Sequence, residues 1–146
     1  MTKYIIHTDG GSRGNPGPAA IGVVIVAHDG SLKKEYGEYI GETTNNEAEY
    51  RAVIFALKKL KSLIGKGKAS QAEVLVYADS ELLVKQMNGE YKISDKNIKD
   101  WFIDIWNLKL DFNKVTFTHV FREKNKAADL MVNVALDKEL KGKLDL

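Results

Sequence analysis

Three strand-like segments stand ahead of Thr44, and helix and strand alternate after it. Lys3 to Asp9 reads as a first strand, Ala20 to Ala27 as a second, and Leu32 to Ile40 as a third with Leu32, Tyr36 and Ile40 as apolar markers. His28-Asp29-Gly30-Ser31 is a turn between the last two, so an antiparallel meander is expected. Thr44 to Ile64 carries Val53, Ala56, Leu57, Leu60 and Ile64 at helical spacing, opens with a capping-box pattern from Thr44 to Glu47 and stops at Gly65. Lys66 to Ser70 is expected to be a loop. Glu73 to Ala78 is a nearly continuous apolar strand, which predicts burial on both faces. Ser80 to Asn88 predicts a short helix, and Asp95 to Phe112 a longer one with Ile98, Trp101, Phe102, Ile105 and Leu108 on one side. Lys114 to Phe121 predicts a last strand in which Val115, Phe117, His119 and Phe121 share a face. Asn125 to Leu140 predicts a closing helix, followed by a frayed tail from Lys141 to Leu146.

This order predicts an α/β fold: one mixed sheet, three antiparallel strands and then two parallel ones, in a single domain over residues 1–146. Right-handed crossovers place the fourth and fifth strands parallel to the first. The carboxyl ends of the first and fourth strands then lie together, where open α/β sheets bind ligands. The chain holds no cysteine, which excludes a disulfide framework, a thiolate metal site and a cysteine nucleophile. No apolar run approaches the ~18 residues that would span a membrane. The first strand begins almost at Met1, leaving no room for a signal peptide, and a cytoplasmic location is expected. A net charge of +2 is too small to argue for a polyanionic partner by itself.

Four acids carry the chemistry. Asp9 ends the first strand and precedes Gly10-Gly11-Ser12-Arg13-Gly14-Asn15-Pro16-Gly17, where glycine lets the backbone turn and lets another backbone come close. An ordinary turn is the alternative for Asp9 and Gly10 taken alone. Glu49 continues the apolar stripe of Val53, Ala56, Leu57 and Leu60, and Asp129 continues that of Val132, Leu136 and Leu140. Asp79 ends the apolar strand. A buried carboxylate without a partner is strongly disfavoured. Taken singly, a helix dipole for Glu49 and an N-cap for Asp79 remain open. Taken together, two strand ends and two helix starts bring four acids to one sheet edge, and nothing basic on the apolar faces offers to pair with them. Such a cluster raises its own pKa values until cations neutralise it, and hard divalent ions with oxygen ligands do so. A pair of these ions about 3.5–4 Å apart suits in-line displacement at phosphorus, so the cluster points to metal-assisted phosphodiester hydrolysis.

The blocks Thr8-Asp9-Gly10-Gly11-Ser12 with Asn15-Pro16-Gly17, Thr44-Asn45-Asn46-Glu47-Ala48-Glu49, Asp79-Ser80, and Arg122-Glu123-Lys124-Asn125 leading to Asp129 resemble type 1 ribonuclease H through nearly the whole chain. The resemblance implies the ribonuclease H-like fold, a five-stranded mixed sheet with helices on both faces. It implies endonucleolytic cleavage of the RNA strand of RNA/DNA hybrids, leaving 5′-phosphate and 3′-hydroxyl ends. It further implies two Mg²⁺ ions with substrate bound, Mn²⁺ as a substitute, and Asp9, Glu49, Asp79 and Asp129 as catalytic metal ligands, with Glu49 also touching the RNA strand. The thin Gly10-Gly11-Ser12 backbone suits an RNA minor groove, where 2′-hydroxyls distinguish RNA from DNA. Asn45 and Asn46 offer amides to base edges or sugars, with simple helix capping as the alternative. Asn15 and Thr44 resemble contacts to a DNA-strand phosphate at a helix N-terminus. Ser80 and Arg122 complete the expected substrate surface. The expected partner is an RNA/DNA hybrid, with double-stranded RNA as a second, and the expected state is a monomer.

Three departures matter. The loop between the last strand and last helix is short and lacks the histidine many members carry; His7, His28 and His119 are poor candidates for it, and Arg122 or Lys124 is the candidate substitute. The family's basic handle is absent, which leaves Lys66, Lys68, Lys85, Lys92, Lys96 and Lys99 as candidate phosphate contacts. Glu81 stands where other members often have an amide. Two further readings remain: a same-fold nuclease for double-stranded RNA or branched DNA, and an inactive hybrid-binding module.

Overall fold

The computed structural model describes residues 2–144. β1 (Lys3–Ser12), β2 (Gly17–Ala27) and β3 (Lys33–Thr43) form the expected antiparallel meander. β4 (Glu73–Ala78) pairs parallel with β1, and β5 (Lys114–His119) pairs parallel with β4, so the sheet runs β3-β2-β1-β4-β5.

Asp9 does not end its strand. β4 pairs with β1 only as far as Thr8 opposite Ala78, whereas β2 stays paired from Asp9 opposite Gly22 to Ser12 opposite Ala19. The glycine-rich stretch is therefore half strand: Gly10 and Gly11 lie in β1, and the turn falls at 13–16, closed by the Arg13 amide on the Pro18 carbonyl at 2.8 Å. A residue just past the end of the parallel pairing keeps a fixed backbone on one side and an open sheet edge on the other. Asp9 occupies that position.

α1 (Asn45–Ile64) is capped as its sequence predicts, with the Thr44 hydroxyl accepting from the Glu47 amide and Gly65 ending it at φ +86°. The capping box is only half formed, because the Glu47 carboxylate takes the Thr43 hydroxyl instead. The expected loop after Gly65 is a further helical turn, α2 (Lys66–Ala69), which buries Ala69 and is closed by amides bonding back to Gly65 and Lys66. α3 (Glu81–Met87) and α4 (Lys96–Lys109) start at Ser80 and Asp95, whose side chains accept from the first-turn amides. A 3₁₀ turn over Arg122–Lys124 leads into α5 (Lys126–Leu144). Residues 141–144 continue α5 where fraying was expected, and Asp145 and Leu146 lie outside the described residues.

Helices cover both faces of the sheet, but unequally. α1 lies over β1 and β2 with α4 against it, and Ile6, Val23, Ile25, Leu57, Leu60 and Val76 fill the space between. α5 crosses β1, β2 and β3 on the other face. β4 consequently alternates instead of being buried on both faces: Val74, Val76 and Ala78 are buried, while Leu75 and Tyr77 are half-buried on the side α5 does not cover. The last strand stops at His119, so Phe121, expected to share a face with Val115 and Phe117, is 68% exposed.

Candidate active site

Asp9 on β1, Glu49 in the second turn of α1 and Asp79 just beyond β4 bring carboxylate oxygens within 4.8 Å of one another. Gly10 makes this convergence possible. A Cβ there would stand 2.3 Å from the Ala48 carbonyl carbon and 2.5 Å from the Glu49 amide, so only glycine lets the start of α1 lie against β1. Asp79 is relieved of capping, since the Ser80 hydroxyl accepts from the Leu83 amide at 3.2 Å and starts α3. Asp129 comes from the first turn of α5, where its amide bonds to the Asn125 carbonyl at 3.1 Å. Its side chain reaches Asp9 but remains 29% exposed.

Burial sets the electrostatics. Asp9 is 6% and Glu49 9% exposed. Desolvation first, then repulsion from Asp79 and the contact with Asp129, push the Asp9 carboxyl up to about 8. Desolvation, then repulsion from Asp9 and Asp79, push Glu49 well above the carboxylate range. Burial and mutual repulsion thus act on both carboxyls in the same direction, against two bare charges side by side. Glu49 Oε2 is buried without a hydrogen-bond partner among the described residues. An all-carboxylate donor set with an orphaned oxygen fits a hard divalent cation, and Asp9, Glu49 and Asp79 could hold one.

One base reaches the cluster from outside the apolar faces, at a position expected on the substrate surface: Arg122 Nη2 lies 3.4 Å from Asp129 Oδ1. It comes from the 3₁₀ turn, whose position the apolar spacing of the helices could not reveal. Lys124, from the same turn, is exposed and does not line the cleft.

The four acids share a cleft of about 400 Å³ with Gly10, Gly11, Ser12, Asn45 and Arg122. Asn45 is not a helix cap. Its Oδ1 accepts from the Ser12 amide at 2.9 Å and the Ser12 hydroxyl at 3.2 Å, tying α1 to the end of β1. Asn15 Oδ1 accepts from the Asn45 amide at 3.0 Å, so the hairpin turn is tied to the same helix start. Asn46 is exposed beside them. Asn15, Thr44, Asn46 and Ser80 lie outside the lining of the cleft, and Thr44 and Ser80 use their hydroxyl oxygens as helix caps. Among the candidate phosphate contacts, Lys85 is tied to Glu81 at 2.9 Å and to the Tyr91 hydroxyl at 3.3 Å.

Two features escaped sequence reasoning. Asn125 is 1% exposed, and its Nδ2 donates to the Thr8 carbonyl at 2.8 Å, pinning the start of α5 to the strand that carries Asp9. Its place four residues before Asp129 was visible, but its long-range partner was not. Arg13 and Asn133 also line the cleft; nothing in local spacing brings a hairpin arginine to a helix that begins more than a hundred residues later.

Residues 7–135 match the family model described as reverse transcriptase-like. The crystal structure of LC11-RNase H1 in complex with an RNA/DNA hybrid superposes with a TM-score of 0.87 at 48% identity, covering 94% of this chain and 99% of that one. The ribonuclease HI of Halobacterium salinarum is 39% identical over 131 residues, which is 90% of this chain and 63% of that protein. A bifunctional protein of Mycobacterium tuberculosis is 38% identical over 136 residues, 92% of this chain but only 36% of its own length. The chain thus spans between about a third and two thirds of these curated relatives. Since sequence likeness, overall superposition and the five-stranded topology all lead to one place, the chain belongs to the type 1 ribonuclease H family.

Proposed function

We propose that residues 1–146 form one catalytic domain that hydrolyses the RNA strand of RNA/DNA hybrids, leaving 5′-phosphate and 3′-hydroxyl ends. The observation that carries this reading is the convergence of Asp9, Glu49 and Asp79 within 4.8 Å at the sheet edge, with two of the three carboxyls raised by burial and mutual repulsion. Asp9, Glu49, Asp79 and Asp129 are the ligands for two Mg²⁺ ions, with Mn²⁺ as a substitute. When bound, such ions neutralise the carboxylates, activate a water and stabilise charge on the attacking and leaving oxygens.

The chain's own residues bind and orient the substrate. Gly10 and Gly11 leave the cleft floor without side chains, so a minor groove with its 2′-hydroxyls can approach the Ser12 amide region. Asn45, fixed through its Oδ1 by Ser12, offers its Nδ2 donors to a base edge or sugar. Asn46 stands exposed beside it for the same task. Asn15 and Thr44 flank the start of α1, where amides and the Thr44 hydroxyl proton suit a DNA-strand phosphate. The Ser80 hydroxyl proton remains available in the same way. Arg122, 3.4 Å from Asp129, takes the part of the absent loop histidine by holding the Asp129 carboxylate and the departing phosphate.

The test is cleavage of a labelled hybrid beside double-stranded RNA, single-stranded RNA and double-stranded DNA, with Mg²⁺, Mn²⁺ or EDTA. Metal-dependent cutting of the RNA strand in the hybrid, lost in Asp79→Asn, is expected. Cutting of double-stranded RNA ranks it as a second substrate. Folded protein that cuts nothing with either metal sinks the reading in favour of a binding module. Arg122→Ala is expected to lower turnover; unchanged turnover removes that assignment. The working state is a cytoplasmic monomer, checked by light scattering at assay concentration and by cell fractionation. No helix among the described residues is long and apolar enough to cross a membrane.

A further inference from the structure

The hairpin after β1 and one side of α5 form a wall of the cleft, and Arg13 lies in it. Arg13 Nη2 donates to Asp137 Oδ1 at 2.6 Å and to Asn133 Oδ1 at 3.5 Å. Asn133 Nδ2 in turn donates to the Asp129 carbonyl at 3.1 Å, so the arginine sits two contacts from an acid of the site. Its Nη1 and Nε donate to no atom of the described residues. The Arg13 side chain is 38% exposed and Asp137 70%: the arginine is laid into the wall, and the aspartate stands in water.

Charge separates this arginine from the other one. Among the described residues that line the cleft, Arg13 and Arg122 are the cations. Arg122 pairs with Asp129, one of the site acids, whereas the anion facing Arg13 is Asp137, which does not line the cleft. An exposed ion pair contributes little and exchanges readily for another anion. A guanidinium with unused donors on a cleft wall is a seat for a phosphate oxygen pair.

We propose that Arg13 grips a backbone phosphate of the strand that is cut, next to the scissile one, by exchanging Asp137 for that phosphate, and that Asp137 weakens substrate binding by competing for the guanidinium. The assignment rests on the nuclease reading for the identity of the strand. The chemical requirement, a nucleic-acid phosphodiester, stands without it.

The experiment titrates a fluorescent RNA/DNA hybrid with the Asp79→Asn protein in Mg²⁺ across a salt series, so that binding is read without cutting. Adding Arg13→Ala is expected to weaken binding about tenfold at low salt, the loss of one charge-assisted contact, and to flatten the dependence of log K on log salt by about one unit. Arg13→Lys keeps that slope with part of the affinity. Asp137→Asn tightens binding. The opposite signs are decisive, because an ion pair that merely braces the hairpin against α5 would make both variants lose affinity. In the otherwise native protein, Arg13→Ala raises KM with kcat little changed. Equal affinity of Arg13→Ala and its parent, or loss in both Arg13→Ala and Asp137→Asn, overturns the proposal. If the native protein binds hybrid with the expected Arg13 effects yet never cuts it, the nuclease reading falls and the phosphate seat stands. If it does not bind hybrid at all, both fall.

Discussion

On the α1 face of the sheet, away from the Gly10 contact at its edge, side chains meet: Ile6, Val23, Ile25, Leu57 and Leu60 are all fully buried between strands and helices. On the α5 face, backbones meet. A Cβ on Gly22 would stand 2.0 Å from the Ala128 carbonyl oxygen, and one on Gly37 would stand 2.5 Å from that of Met131, while the buried apolar cluster there is, among the described residues, Ala20, Val132 and Leu136. A core of large side chains supplies stabilisation in proportion to area and can relax around a change. A backbone-to-backbone contact supplies little area but leaves no slack. The first face therefore carries most of the stability. The second sets the position of α5, and with it of Asp129, one residue after the Ala128 that touches Gly22.

The largest expected effect on stability is Leu57→Ala, a full truncation in the α1 core, at about 2–5 kcal/mol. Its kcat, measured well below the melting temperature, should stay close to the native value. Gly22→Ala is expected to lose about 1–3 kcal/mol by overpacking, yet to lose kcat at temperatures where circular dichroism shows it folded. If both variants lose activity only in proportion to their unfolded fraction, the contrast between the faces is gone. Asn125→Ala sharpens it further. Removing the clamp on the Thr8 carbonyl leaves a buried acceptor unpaired, at about 1–3 kcal/mol, and lets the start of α5 move relative to Asp9. A fall in kcat with little change in KM is the expected signature.

The smallest expected effect concerns the acids where the two faces converge. In EDTA the unfolded chain ionises its carboxyls near pH 4, whereas folded Asp9 keeps its proton up to about pH 8 and Glu49 is also raised. The folded state then binds more protons across that window, so stability falls as pH rises from about 4 to about 8. Asp9→Asn should flatten that slope and melt higher than the native chain in EDTA near pH 8, while losing metal-dependent cleavage. Mg²⁺ should stabilise the native chain most at the upper end of the window, because binding there has fewer protons to displace. A pH-independent melting curve in EDTA would mean that the acids are better solvated than their burial indicates.

Much of this arrangement was legible in the residues. Glu49 and Asp129 stood out because they interrupt apolar stripes at helical spacing, and Asp79 because it follows Val74-Leu75-Val76-Tyr77. The caps at Thr44 and Gly65 were equally plain, because capping is a local reaction of the backbone with its neighbours. Other features were not legible. β1 runs on to Ser12 because β2 pairs with it there, and glycines taken as a turn became strand. Leu75 and Tyr77 are half-buried because α5 covers β1 to β3 and stops short of β4, a matter of where a helix lies and not of its own pattern.

By itself, the sequence determined the element order, the faces of the helices and the identity of the acids, since hydrophobic period and capping act over a few residues. Only the tertiary structure decided that Gly10 lets α1 touch β1, that Gly22 and Gly37 seat α5, that Asn125 clamps the start of α5 to β1, and that Arg13 comes to the cleft. These are contacts between residues far apart in the chain. Their partners are selected by strand order and helix placement, which become definite only when the whole sheet is assembled.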